Sequence, residues 1–214
     1  MLQELEKYKS LLGNSGSVLD IGAGNGETAS LFDKNWKWIG IDPQPSHTII
    51  PREERLVVGD VHNLNFEDES FDLVISIAAL EHFHSPWLAT KEINRVLKKG
   101  GYFLGTVSFL EPEHMNSYFH MTKNGTKKIL EVADFKDISI TPTSGWNVLT
   151  SMNIIPFTSI YSRIKSALLF PIRRSLIKLR IFFRKGKLKN RAQKYLEDDE
   201  SRYAGSFFFI CKKG

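Results

Sequence analysis

The chain has 214 residues, 42% of them hydrophobic and 25% charged, which supplies one domain with a sizeable core. A single cysteine, Cys211, excludes an intramolecular disulfide and a cysteine metal site, as expected for a reducing, cytoplasmic setting. The net charge is +5, yet Pro156 to Leu196 carries 12 Lys or Arg and no acid; the remaining 17 basic residues face 24 acidic ones, a balance of −7, so the basic character belongs to one segment.

The stretch Met1 to Lys9 holds Glu4, Glu6 and Lys7 and lacks an apolar h-region, so it does not read as a signal peptide. Leu2, Leu5, Tyr8, Leu11 and Leu12 recur at helical spacing and predict an amphipathic helix. It either lies on a sheet or forms part of a substrate cover. Val18 to Ile21 then reads as a buried strand running into Gly22, Gly24 and Gly26, with a helical pattern over Thr28 to Lys34. Glycine permits positive φ and a close ligand approach, so a strand, a glycine turn and a helix together predict a nucleotide-cofactor site. The dinucleotide fingerprint is G-x-G-x-x-G, but Glu27 stands where its last glycine would fall. The pattern Asp20-x-Gly22-x-Gly24-x-Gly26 resembles instead the first motif of class I S-adenosylmethionine (SAM) methyltransferases.

Trp38 to Asp42 is the next predicted strand, followed by Pro43, and Arg55 to Asp60 the third. In doubly wound sheets an acid at the second strand end bonds ribose hydroxyls. Asp20, Asp42 and Asp60 thus end three successive strands on the edge where ligands bind. Phe71 to Ser76 is a fourth strand. Ser85 and Pro86 open a helix to about Lys98 with Gly100 as C′, and Gly101 to Val107 is the fifth strand. Thr122 caps a further helix. Phe135 to Ile140 and Ser206 to Cys211 complete the strands.

Gly59-Asp60, Phe66 to Val74, Leu80-Glu81-His82 and Val96 to Gly101 resemble the type 11 class I methyltransferase family, from about Val18 to Val107 and more weakly to Pro142. The chain departs from that family at Asp134, where a Gly is usual. The resemblance implies an α/β, doubly wound, Rossmann-like seven-stranded sheet in the order 3-2-1-4-5-7-6, its last strand antiparallel. It also implies a single domain over 1–214 with a helical insertion at about 143–204. Carried over, Gly22, Ala23, Gly24 and Gly26 pass under the methionine part of SAM, and Asp20 stands near its amino group. Asp42 and Pro43 take the ribose, Asp60 and the Val61 N–H take the adenine, and Ile77 and Ala78 face the methionine end.

Methyl transfer needs an in-line nucleophile in a dry pocket, and a base only for a hydroxyl or protonated amine. Candidate bases are His82, His84, His114 and His120, with His82 and His120 favoured because they follow the fourth and fifth strands. Some ubiquinone-pathway relatives add a Glu three residues before the Glu-His pair; here Ala78 stands there, so Glu81 and His82 alone predict no metal. The expected activity is SAM-dependent transfer to a small-molecule, glycan or lipid-linked acceptor, at oxygen. The alternatives are SAM binding without transfer, transfer to nitrogen or carbon, and an NAD oxidoreductase. In 156–196, apolar Ile160, Ile164, Leu168, Ile172, Leu176, Leu179 and Phe183 alternate with basic faces, reading as two helices joined at Pro171. They roof the acceptor pocket or rest on an anionic membrane surface. After Ser76, Ile77-Ala78-Ala79 lacks a base-methylation motif, so a nucleic-acid partner is not favoured.

Overall fold

The computed structural model describes Tyr8, residues 13–43 and 56–151, the single positions Ile172, Ser175, Leu176, Lys178 and Leu179, and residues 201–214. The chain divides into two compact units, one of residues 1–108, 114–141 and 207–214, the other of 109–113 and 142–206.

The first unit is built on a seven-stranded sheet: β1 (Gly16–Ile21), β2 (Trp36–Asp42), β3 (Leu56–Val58), β4 (Phe71–Ser76), β5 (Leu97–Ser108), β6 (Phe135–Pro142) and β7 (Ser206–Lys213). Their order is β3-β2-β1-β4-β5-β7-β6, as expected. The pairs β1–β2, β1–β4, β2–β3 and β4–β5 are parallel. The central strands are buried on both faces, which is why they read as unbroken apolar runs. Val18, Trp38, Leu73, Ile75, Leu104 and Phe208 share one core cluster. At the edge strand β3 the pattern thins, and Val58 is exposed.

Three expected boundaries move. The helix expected over Thr28 to Lys34 is a five-residue 3-10 turn, Glu27–Leu31. A short crossover turns immediately into β2 through the Trp36 N–H bond to the Asp33 carbonyl, leaving no room for further helical turns. The third strand stops at Val58, so Asp60 lies two residues past its end. The helix α1 (Pro86–Val96) ends two residues early. Leu97 already pairs with Phe71, and the Lys98 ammonium reaches both oxygens of Asp72 at 2.9 and 2.8 Å. Gly100, at φ 77°, lets the chain return to register after that irregularity.

The expected starts of the two helices keep their places. Pro86 opens α1, although the Ser85 hydroxyl pairs with His84 rather than with a helix N–H. The Thr122 hydroxyl accepts from the Gly125 N–H at 3.1 Å to cap α2 (Lys123–Val132). Asp134 occupies the usual glycine position at φ 63°, a left-handed conformation that Asp tolerates better than most residues. Of the expected first helix only Tyr8 is described; its ring stacks on Phe208 with centroids 5.3 Å apart.

In the second unit the Phe109 N–H donates to the Gly205 carbonyl at 2.7 Å, and Asn147 bridges Ala204 in antiparallel fashion. The Trp146 indole donates to Glu111 at 2.5 Å. A short helix, α3 (Val148–Ser151), follows, and the buried Ser151 hydroxyl bonds the Leu110 carbonyl at 2.6 Å. Most of the basic segment lies outside the described residues; Ile172, Leu176 and Leu179 from its apolar stripe are exposed.

Gly105, in β5, marks the tightest backbone approach in the sheet centre. A Cβ there would stand 2.1 Å from the Ser76 carbonyl oxygen and 2.9 Å from the Phe209 ring. Gly105→Ala is therefore expected to cost about 1–3 kcal/mol of stability, read as a lowered midpoint in urea unfolding.

Candidate active site

The sheet order reverses direction between β1 and β4, and there the carboxyl ends of the parallel strands open a crevice. The three loop glycines all adopt positive φ: 73° at Gly22, 52° at Gly24 and 71° at Gly26. Each has its own reason. A Cβ on Gly22 would stand 2.4 Å from that of Ala79, so only glycine lets the loop after β1 meet the loop after β4. A Cβ on Gly24 would meet nothing within 4 Å, so the ground around it is open. Gly26 closes the turn through its N–H to the Ala23 carbonyl at 2.7 Å.

Asp42 ties the loop to β2. Its carboxylate accepts from the Gly24 N–H at 3.0 Å, while the Gly22 and Ala23 N–H groups donate to the Ile41 carbonyl at 2.9 and 3.2 Å. Asp20 is buried beneath the loop and accepts from the Thr28 hydroxyl. Burial pushes its carboxyl up from an ordinary 3.8 to about 7. The Thr28 hydroxyl and the Trp38 indole pull the other way, and the Asp42 charge adds to the rise.

Asp60 stands apart with His62 and His84. It accepts from the His62 backbone N–H at 2.9 Å and lies 2.6 Å from His62 Nδ1. The Ser85 N–H donates to His62 Nε2 at 3.2 Å, which assigns the imidazole proton to Nδ1. Partial burial raises the Asp60 carboxyl, but the His62 bonds and the His62 and His84 rings hold it below the ordinary range. His62 and His84 stack with centroids 3.8 Å apart.

The loop that carries Asp60 and Val61 is clamped from α1. Arg95 donates to the carbonyls of Phe66 and Leu64 and to Asp68, each at 2.8 Å. It also pairs with Glu92, which accepts from the Leu64 N–H at 3.0 Å. Neither Arg95 nor Glu92 carries a sequence signal beyond a helical (i, i+3) spacing, which is common to solvated pairs.

After β4, Ala78 holds φ 50° and its N–H donates to the Thr106 hydroxyl at 2.9 Å. A non-glycine residue there is strained, as backbone at functional sites often is. Glu81 follows, fully buried, and accepts from the Ser108 hydroxyl at 2.6 Å. His82 and His114 meet edge to face at 5.4 Å between centroids, and His120 stands 5.6 Å from His114. The structure thus brings the favoured His82 and His120 into one cluster around His114. It sends His84 to the Asp60 group. The acids and glycines expected around a cofactor gather on one edge, and the Gly59 N–H, one residue before Asp60, donates to the Asp42 carbonyl at 3.2 Å.

Residues 19–105 match the family described as a methyltransferase domain. The chain is 29% identical over 153 residues to an uncharacterized methyltransferase, YcgJ, of Bacillus subtilis, covering 67% of this chain and 58% of that protein. It is 32% identical over 157 residues to a tRNA (carboxymethyluridine(34)-5-O)-methyltransferase of Arabidopsis thaliana, covering 70% of this chain and 38% of that one. The fold matches Haemonchus contortus phosphoethanolamine N-methyltransferase 2, solved with S-adenosyl-L-methionine, at a TM-score of 0.61 and 20% identity; the match covers 99% of this chain and 51% of that one. The chain spans 36% to 58% of the length of the first curated relatives it matches.

Two expected outcomes follow from the site's electrostatics and its clamp. The Asp20 carboxyl is higher in the folded protein than in the unfolded chain, so between about pH 4 and 7 the folded state keeps a proton that the unfolded state releases. Stability is fully present below that window and falls, by an amount on the order of a few kcal/mol, as pH rises through it. Asp20→Asn flattens this slope in denaturation measured at stepped pH; an unchanged slope places the titration elsewhere. Arg95→Ala releases the 64–68 loop, which hydrogen exchange reads as faster exchange at the Leu64 amide.

Proposed function

We propose, from the match of residues 19–105 to a methyltransferase domain and from the sheet order, that the chain is a SAM-dependent methyltransferase acting on a hydroxyl of a small-molecule, glycan or lipid-linked acceptor. The observation that carries this reading is the glycine loop: left-handed at three positions, open around Gly24, and tied to an acid at the end of β2. That acid-lined crevice fits SAM better than a dinucleotide. A pyrophosphate seeks the N-terminus of a helix, and here the loop leads into a single five-residue 3-10 turn with Glu27 in it.

SAM supplies an activated methyl group on a sulfonium. Around it, Gly22, Ala23, Gly24 and Gly26 would make room for the methionine part, with Ile77 and Ala78 at its far end. Asp20 would stand near the ammonium, Asp42 and Pro43 at the ribose, and Asp60 with Val61 at the adenine. His82 and His120 would receive the proton that an acceptor hydroxyl gives up, in line with their place past β4 and β5. A protonated amine would use the same imidazoles, so nitrogen transfer shares this chemistry.

A second reading, an RNA acceptor, draws on two observations: the Arabidopsis relative is named for a tRNA uridine, and 156–196 holds 12 unopposed basic residues. The readings part in one experiment. Cell extract is incubated with the protein and SAM labelled in the methyl group, then divided by ribonuclease. Label that stays in the small-molecule or lipid fraction after digestion supports the first reading; label released by ribonuclease supports the second.

Asp42→Ala should weaken SAM by about 1.5–3 kcal/mol through loss of charge-assisted hydrogen bonds, and calorimetry with unchanged affinity would refute the ribose assignment. Gly24→Val should abolish SAM binding, since its side chain would fill the open ground and, at φ 52°, strain the left-handed turn locally; a melting curve checks that the sheet still folds. His82→Ala should lower turnover about 10²–10⁴-fold with SAM affinity nearly unchanged; a loss below roughly tenfold would reduce His82 to a pocket wall.

A further inference from the structure

Glu81 is the one carboxylate among the described residues that is wholly buried with an oxygen left without a partner. The residue is 0% exposed; Oε1 accepts from Ser108, and Oε2 has no hydrogen-bond partner. A buried ionised carboxylate is costly unless a positive charge or further donors face it. What faces it here is imidazole. His114 Nε2 lies 3.9 Å from Glu81 Oε1, and His82 packs edge to face on His114. One ligand atom from each of Glu81, His82 and His114 falls within 4.8 Å of the other two. His120 stands beyond His114, its Nε2 buried and also lacking a partner.

We infer that Glu81, His82 and His114 form a binding site for a divalent transition-metal cation; with the cation bound His82 is a ligand, and the proton-accepting role falls to His120. Two imidazoles and one carboxylate are a donor set for zinc, manganese, cobalt or iron rather than for magnesium or calcium, which prefer oxygen throughout. The ligand atoms need to draw in only slightly, since donors at about 2.1 Å from one cation stand roughly 3–3.5 Å apart. Three protein ligands leave a coordination position open, as catalytic rather than structural metal sites do. The pair Glu81-His82 by itself lacked ligands; His114, from the loop after β5, completes the set.

A second group, Asp60, His62 and His84, also places three donors together. It is the weaker candidate. Asp60 is exposed and already holds the His62 Nδ1 proton, and His62 Nε2 accepts from the Ser85 N–H. Both nitrogens of its central imidazole are therefore occupied, whereas the Glu81 group keeps an unpaired carboxylate oxygen in a dry setting.

The test is metal binding by the full chain and does not depend on the proposed activity. The protein is stripped with a chelator, then titrated with Co²⁺ and followed by visible absorption, with Zn²⁺ as competitor. One equivalent of Co²⁺ should bind with ligand-field bands that Zn²⁺ abolishes. Glu81→Gln and His114→Ala should each weaken it at least roughly tenfold, while the double substitution His62→Ala, His84→Ala leaves it unchanged. Melting curves of every variant confirm folding, and His82→Ala, at a partly buried residue, should weaken Co²⁺ binding as the other two do. SAM affinity, measured alongside, stands or falls separately with the methyltransferase reading. Absence of stoichiometric binding, bands indifferent to Glu81→Gln and His114→Ala, or bands lost only with His62 and His84 would each overturn the inference.

Discussion

The hydrogen bond from the Gly24 N–H to the Asp42 carboxylate is the contact on which the ligand edge depends. It holds a left-handed loop against the end of a neighbouring strand, and the Ile41 carbonyl next to it takes two more loop N–H groups. A loop satisfied this way needs no helix behind it. The 3-10 turn that follows is accordingly short, and the Thr28 hydroxyl in it serves the buried Asp20 rather than extending a helix. The same loop could not sit where it does with any side chain at Gly22, because Ala79 fills that space from the other side of the switch point.

The edge divides into two kinds of chemistry. On the β1–β2 side stand carboxylates, one of them raised by burial to about 7. On the β4–β5 side stand imidazoles around a buried glutamate. Acids at one end suit a cationic ligand, and proton acceptors at the other suit an acceptor that must lose a proton. The separation is produced by topology: β1 and β4 are neighbours at the point where the strand order turns, so residues far apart in the chain line one crevice.

How much of this the sequence shows depends on whether the signal is local. The buried strands are legible because parallel strands covered on both faces carry unbroken apolar runs, and Asp20 and Asp42 are legible as acids ending such runs. The α2 cap at Thr122 and the left turn at Asp134 are local and also legible. The helix after the glycine loop is misread because helical periodicity over Thr28 to Lys34 says nothing about the short path left to β2. The end of α1 is misread because pairing with Phe71 and the Asp72–Lys98 ion pair outweigh helix propensity at Leu97 and Lys98. Arg95 and His114 lie furthest from what sequence offers. Apart from Glu92, the partners of Arg95 are 27 to 31 residues away, and although His114 is named among the candidate bases, nothing near it in sequence points to Glu81.

The central claim is that this edge holds SAM. Isothermal titration of the full chain with SAM and, separately, with NAD tests it directly. The structure predicts saturable binding of one SAM per chain and no heat from NAD. Binding of NAD with none of SAM, or binding of neither, would contradict the account.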